Sequence, residues 1–175
     1  MKPLVSITLA LSAITYSCFA YSENPEYASS RLTIPAVDAN GKPGFFQDVV
    51  IEPAGDNLWR VAELYEAVPI SVIEQVEVVR TDSSPVQIFL KLSGTFRSGC
   101  GEVDQVSHTV NDKHFTVVAY YKLDKQPGQI SCTQALVPFT YTIALPVFGL
   151  SAGEYQYTLN DSFSGSFVLN ADNSL

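Results

Sequence analysis

The chain has 175 residues, of which 46% are hydrophobic and only 16% charged, so it can bury a core and wholesale disorder is excluded. A formal net charge of −8 argues against nucleic acid and anionic membrane surfaces as partners, because both attract Lys and Arg. Nine Tyr and ten Phe against one Met favour strands over helices.

Residues 1–20 read as a signal peptide. Met1-Lys2 is a short positive start, Leu4 to Ile14 is an apolar stretch, and Cys18-Phe19-Ala20 places small residues at −3 and −1 of a cut before Tyr21. An uncleaved anchor competes with this reading, since no charge occurs between Lys2 and Glu23, but Ser and Thr dilute the apolar run. Lipidation of Cys18 is a third reading, which Thr15-Tyr16-Ser17 matches poorly. After cleavage no second run approaches spanning length, so no membrane insertion is expected and the chain is placed in the periplasm or outside the cell.

Residues 21–30 are polar and read as a flexible tail. Residues 31–65 read as a short N-terminal β-meander: Leu32 to Val37, a turn cluster at Asp38 to Gly44, and a strand from Phe45 to Glu52. Residues 58–65 are ambiguous. Leu58, Val61, Ala62 and Tyr65 fit a helical face capped by Asp56 or Asn57, whereas Trp59-Arg60-Val61 after Gly-Asp-Asn continues a meander; the strand is favoured.

Residues 71–171 carry seven strand patterns with turn signals between them, the signature of an all-β sandwich. Ile70 to Thr81 is followed by the turn Asp82-Ser83-Ser84-Pro85. Val86, Ile88, Leu90 and Leu92 then alternate with polar residues. Val106 to Val110 and Phe115 to Leu123 flank Asn111-Asp112-Lys113 as a hairpin, with Phe115, Val117, Ala119 and Tyr121 facing the core. Asp124 to Gly128 is a loop, and Phe139 to Leu145, Tyr155 to Leu159 and Phe163 to Asn170 complete the set.

With Cys18 removed, Cys100 and Cys132 form an even pair in an exported chain and read as a disulfide. A closed loop of about 33 residues would contribute roughly 3–4 kcal/mol on the chain-entropy account. No Cys-x-x-Cys and no basic cluster mark either as a reactive thiol.

Three stretches resemble known proteins. Leu150-Ser151-Ala152-Gly153-Glu154-Tyr155 is similar to the Leu-x-x-Gly-x-Tyr turn of immunoglobulin-like and fibronectin-like sandwiches. The resemblance implies a structural corner of Leu150, Gly153 and Tyr155, with the Tyr155 hydroxyl bonded back to the turn. Gly99-Cys100 followed by Cys132-Thr133-Gln134-Ala135-Leu136-Val137-Pro138-Phe139 resembles a pattern of uncharacterised exported bacterial proteins. Leu32-x-Ile34-Pro35-x-Val37, with a Gly turn and Asp48-Val49 after it, resembles a small β unit of other such proteins. Together they imply an immunoglobulin-like antiparallel β-sandwich with a short N-terminal meander, and bring no active site. Tyr157 stands where antibody domains place their second Cys, so the Cys100–Cys132 bridge would tie down a loop instead of joining the sheets.

Few constellations suggest chemistry. His108 and His114, with Glu102, Asp104 and Asp112 nearby, invite a metal reading. A hairpin loop of two or four residues sends them to opposite faces, and a loop of three to one face. No Gly-x-Ser-x-Gly or phosphate-cradling loop occurs, and the carboxylate pairs Glu74/Glu77 and Glu102/Asp104 have the spacing of any solvated strand. No catalytic residue, metal ligand or cofactor is assigned. The doublets Phe45-Phe46 and Tyr120-Tyr121 suggest an outward aromatic contact surface for an envelope protein or glycan, unless the meander covers them. The leading expectation is a non-enzymatic exported sandwich that binds or scaffolds another cell-envelope component. The alternative is a small envelope hydrolase or metal-dependent enzyme using acidic residues near His108.

Overall fold

A computed structural model describes residues 24–39, 41–122 and 131–175. The leader expected over residues 1–20 lies outside them, as does the Asp124–Gly128 loop. All regular structure among the described residues is β-strand.

The N-terminal sheet is built from β1 (Glu26–Ala28), β2 (Arg31–Ala39), β3 (Lys42–Gly55) and β4 (Leu58–Glu66), antiparallel and in that order. Two of its turns share one device. Ser29 and Ser30 have φ of 51° and 61°, and Asp56 and Asn57 have 50° and 59°. Positive φ at both central residues is the mark of the type I′ turn, whose twist suits paired strands. The first of these turns folds Glu26–Ala28 back as β1, so at these three residues of the stretch 21–30 a strand stands where a tail is expected. The second turns residues 58–66 into an edge strand; Asp56 and Asn57 are turn residues and not a helix cap. β3 is long and bulged: its register shifts between Gln47 and Val50, around Asp48 with φ of 48°.

Seven strands follow: β5 (Ile73–Arg80), β6 (Ile88–Phe96), β7 (Val103–Asn111), β8 (His114–Tyr121), β9 (Val137–Leu145), β10 (Gly153–Leu159) and β11 (Phe163–Leu169). They form a three-stranded sheet, β5-β6-β9, and a four-stranded sheet, β11-β10-β8-β7. Between the sheets lies one core. Ile88, Leu90 and Leu92 of β6 lie in it with Phe115, Val117 and Ala119 of β8, and with Tyr155, Tyr157 and Leu159 of β10. The alternating pattern of each strand therefore places its apolar set inward, and the architecture is a β-sandwich.

One pairing is not antiparallel. β10 runs parallel to β8, with Gln156 opposite His114 and Leu159 opposite Val117. In immunoglobulin domains the sixth strand lies beside the third; here it lies beside the fourth, and the third (β7) moves to the edge. Parallel neighbours need a long crossover, which passes here through β9 in the facing sheet.

The two parts are joined by backbone as well as side chains. Ala67 N–H donates to Phe45 O at 2.8 Å, Tyr121 N–H to Val68 O at 2.9 Å, and Ile70 N–H to Ala119 O at 2.9 Å. The connecting segment thus lies along β8. Ala67, Val118 and Tyr120 form a second small core on the outer face of the four-stranded sheet.

Candidate functional site

The aromatic doublets are the first test of a contact surface. Neighbours in β8 do point to opposite faces: Tyr121 packs on the sandwich core, 5.8 Å from the Phe96 ring. Tyr120 points outward, yet it is fully buried because the N-terminal sheet covers it, and its hydroxyl donates to Pro43 O at 2.6 Å. The close approach needs Gly44, whose φ is 66° and whose added Cβ would sit 2.1 Å from Ser107 Oγ. Phe45 and Phe46 are half-buried, edge to face at 4.9 Å. Tyr120 is thus an internal contact between the two parts, and the surface expected at Tyr120 is closed.

Burial, with Asp38 and Asp161 adding to it, pushes the Tyr120 phenol up to about 12. A phenol whose pKa is raised on folding stabilises the fold fully below its ordinary value near 10. That contribution is lost as pH rises through about 12. We expect stability to fall across that window by about 2–3 kcal/mol. Urea unfolding on the two sides of that window should show the loss in the native chain and a smaller one in Tyr120→Phe.

An exposed apolar surface lies elsewhere. Across the N-terminal sheet Tyr27 pairs with Leu32, Leu32 with Ile51, and Ile51 with Val61; Trp59 pairs with Pro53 beside them. Directly opposed residues share a face. Tyr27 (64% exposed), Val61 (56%) and Trp59 (53%) leave this face open to solvent. The other face of the same strands is charged. Arg60 Nε donates to Glu52 at 2.9 Å, and Arg31 reaches Glu52 at 3.1 Å and Glu63 at 3.5 Å. The hydrogen bond from Arg60, with the charges of Arg60 and Arg31, holds the Glu52 carboxyl below its usual range. Sequence reading missed Trp59 and Val61 as contact residues. Their alternation with Arg60 was the available signal, and the competing helical spacing of Leu58, Val61 and Tyr65 obscured it.

At the β10 corner, the Tyr155 hydroxyl donates to Ser151 O at 2.8 Å. The ring is buried and stacked on Phe167, with centroids 5.6 Å apart. Leu150 packs on the core, and Gly153 opens the strand with φ of 148°. Tyr157 shares the face of Tyr155, but its ring lies over Gly165, where an added Cβ would come within 2.8 Å of it. Tyr155→Phe is expected to lose about 0.5–1.5 kcal/mol in chemical denaturation, and Tyr157→Phe less. Equal losses would remove the distinction between the corner and general packing.

Cys100 and Cys132 are at disulfide distance, with S–S 2.16 Å and Cα–Cα 5.5 Å. Both are exposed, and Gly99 N–H donates to Thr133 O at 2.9 Å beside them. The pair ties the β6–β7 connection to the segment entering β9, outside the core between the sheets.

The histidines are apart. Asn111 pairs with His114 across the two-residue loop Asp112-Lys113. His108 pairs with Val117 at an exposed edge strand, and burial lowers its pKa against the opposing effect of Asp38. His114 Nε2 lies 3.2 Å from Thr158 Oγ1, in a shallow depression that Thr116, Glu154 and Gln156 also line. Glu102 is held by Lys122 at 2.8 Å. Among the described residues, no group of three or more His, Cys, Asp or Glu side chains is placed to hold a metal ion.

Comparison with known proteins bears on the sandwich alone. No curated protein and no solved structure matches the chain. Residues 90–169, from within β6 to the end of β11, match the family model of the ORF11 beta-sandwich domain, so this stretch of the sandwich, without β5, is similar to that β-sandwich family.

Proposed function

We propose that this protein is an exported, non-enzymatic component of the bacterial cell envelope, periplasmic or secreted, that binds or scaffolds another envelope protein or glycan through its N-terminal sheet. The observation that carries this reading is the open apolar row Tyr27–Leu32–Ile51–Val61, with Trp59 alongside. Exposed aromatic and aliphatic side chains on a rigid sheet are the anchors that contact surfaces use. The sandwich supplies the rigid mount, through β3 and the segment along β8. The disulfide-distance pair fits an oxidising compartment, and no helix among the described residues is long and apolar enough to cross a membrane.

The enzymatic alternative near His108 draws less support. His108 shares its face with Val117, and Glu102 is engaged by Lys122.

The test uses the native chain, with a photo-crosslinking residue placed at Val61 in one sample and at Glu154 in another. Under this reading, one discrete envelope adduct forms from Val61 only, and Trp59→Ser abolishes it. Equal labelling from both positions, or an adduct indifferent to Trp59, would overturn it.

A further inference from the structure

β4 closes the N-terminal sheet on one side, and no described strand pairs with its outer edge. Nine residues of unflanked backbone form a template for a further strand. Natural edges are commonly protected by brevity, by covering segments or by inward charges. β4 carries charges and a bulge between Val61 and Glu63, but it is neither short nor covered by a described segment: nearly all its residues are exposed, including Leu58, Trp59, Val61 and Leu64.

We infer that the outer edge of β4 pairs antiparallel with β4 of a second copy of this chain, joining two N-terminal sheets into one. Charge chooses the occupant. The ion pairs with Glu52 and Arg31 place Arg60 and Glu63 on the same face. In a regular strand residues three apart face opposite ways; the register shift between Val61 and Glu63 brings these two together. Turned about a two-fold axis between Val61 and Ala62, the strand sets Arg60 against Glu63 of the copy, and Glu63 against its Arg60. The same register places Trp59 beside Leu64 on the apolar face. Glu66, the remaining charge of β4, falls opposite Asn57 and meets no carboxylate. Parallel pairing in register would instead oppose Arg60 to Arg60 and Glu63 to Glu63, which like charges disfavour. The strand is thus self-complementary in one direction only.

The inference concerns the edge of the sheet, whereas the proposed envelope contact concerns its apolar face, so each stands or falls by itself. Sedimentation of the oxidised native chain should show reversible dimers at about 100 μM, the range of a small interface. R60E sets a carboxylate against Glu63 at each of the two symmetric contacts, and E63R sets a guanidinium against Arg60 at each. Each should weaken self-association about tenfold or more. An equimolar mixture of R60E and E63R restores both opposite-charge pairs and should recover the dimer, as should the double variant R60E/E63R. Recovery also shows that neither change unfolds the sheet. A native chain that stays monomeric would overturn the inference, as would single variants that associate as tightly as the native chain. Monomers that pair only with an added foreign strand peptide would overturn it too. Of the Val61 adducts, one with a second copy of this chain reports on the β4 pair, and one with a different envelope component reports on the envelope contact.

Discussion

Asn160→Ala, at a partly buried turn, is expected to lower stability by about 3 kcal/mol. Its side chain works as a three-point clasp. Asn160 Oδ1 accepts from Ala119 N–H at 2.8 Å, and Nδ2 donates to Ile70 O at 2.8 Å and to Ala119 O at 3.0 Å. Removing it strands one donor, Ala119 N–H, and one acceptor, Ile70 O, in a partly buried place, while Ala119 O keeps its bond from Ile70 N–H; each stranded group costs about 1 kcal/mol or more. The backbone adds to this, because φ is 47° at Asn160, a conformation that Asn tolerates better than Ala. Asn160→Gly removes the same bonds without the backbone penalty, so it should lose about 1 kcal/mol less than Ala. Asn160→Asp keeps the acceptor but turns a carboxylate toward two carbonyls, and should be no milder than Ala. Urea unfolding ranks the three, and amide exchange at Ala119 should quicken in each. The clasp also holds the segment leading from the N-terminal sheet, so its loss should loosen that sheet on the sandwich. An Asn160→Ala chain as stable as the native one would show that these bonds contribute nothing net.

Such a residue could not be read from the sequence. Asn160-Asp161-Ser162 has turn composition, and that composition is the same whether the Asn faces water or clasps β8 to the segment before β5. Asn173 is a second case: buried near the C-terminus, it accepts from Val86 N–H at 2.7 Å and donates to Val86 O and Val147 O. What was legible is what alternation encodes. Ile88, Leu90 and Leu92 read as an inward face because a one-residue slip would expose all three, and they are among the most buried side chains. Strand direction is another matter. An alternating strand has the same inside and outside run either way, so the parallel β8–β10 pair was invisible. Tyr120 and Tyr121 show the same limit at the candidate site. Alternation separates their faces but does not say that β3 lies over one of them. β1 was missed because Ser29-Ser30 lacks the Gly or Asn that usually marks a turn with two positive φ values.

Replacing both Cys100 and Cys132 with Ser is expected to lower stability by about 3 kcal/mol while leaving a β-rich circular dichroism spectrum. The bridge spans a sequence separation of 32 residues, and the loop that it closes contains β7 and β8, neighbours in the four-stranded sheet. Opening it frees the unfolded chain far more than it disturbs the folded one, and the chain-entropy account gives roughly 3–4 kcal/mol for this length. The folded state has little to lose, since both sulfurs lie at exposed positions and Ser leaves no cavity in the core. The neighbouring bond from Gly99 N–H to Thr133 O can persist without the bridge and should keep the two loops near each other. Both residues must be changed together, because one remaining exposed thiol would cross-link copies and confuse the comparison with the β4 dimer. Urea unfolding with and without reductant gives the control. The native chain should lose about the same amount on reduction as the double variant loses outright, and the double variant should be indifferent to reductant. A native chain equally stable in both conditions would show that the bridge does not hold the fold. The core of Leu90, Leu92, Phe115 and Leu159 would then suffice without it.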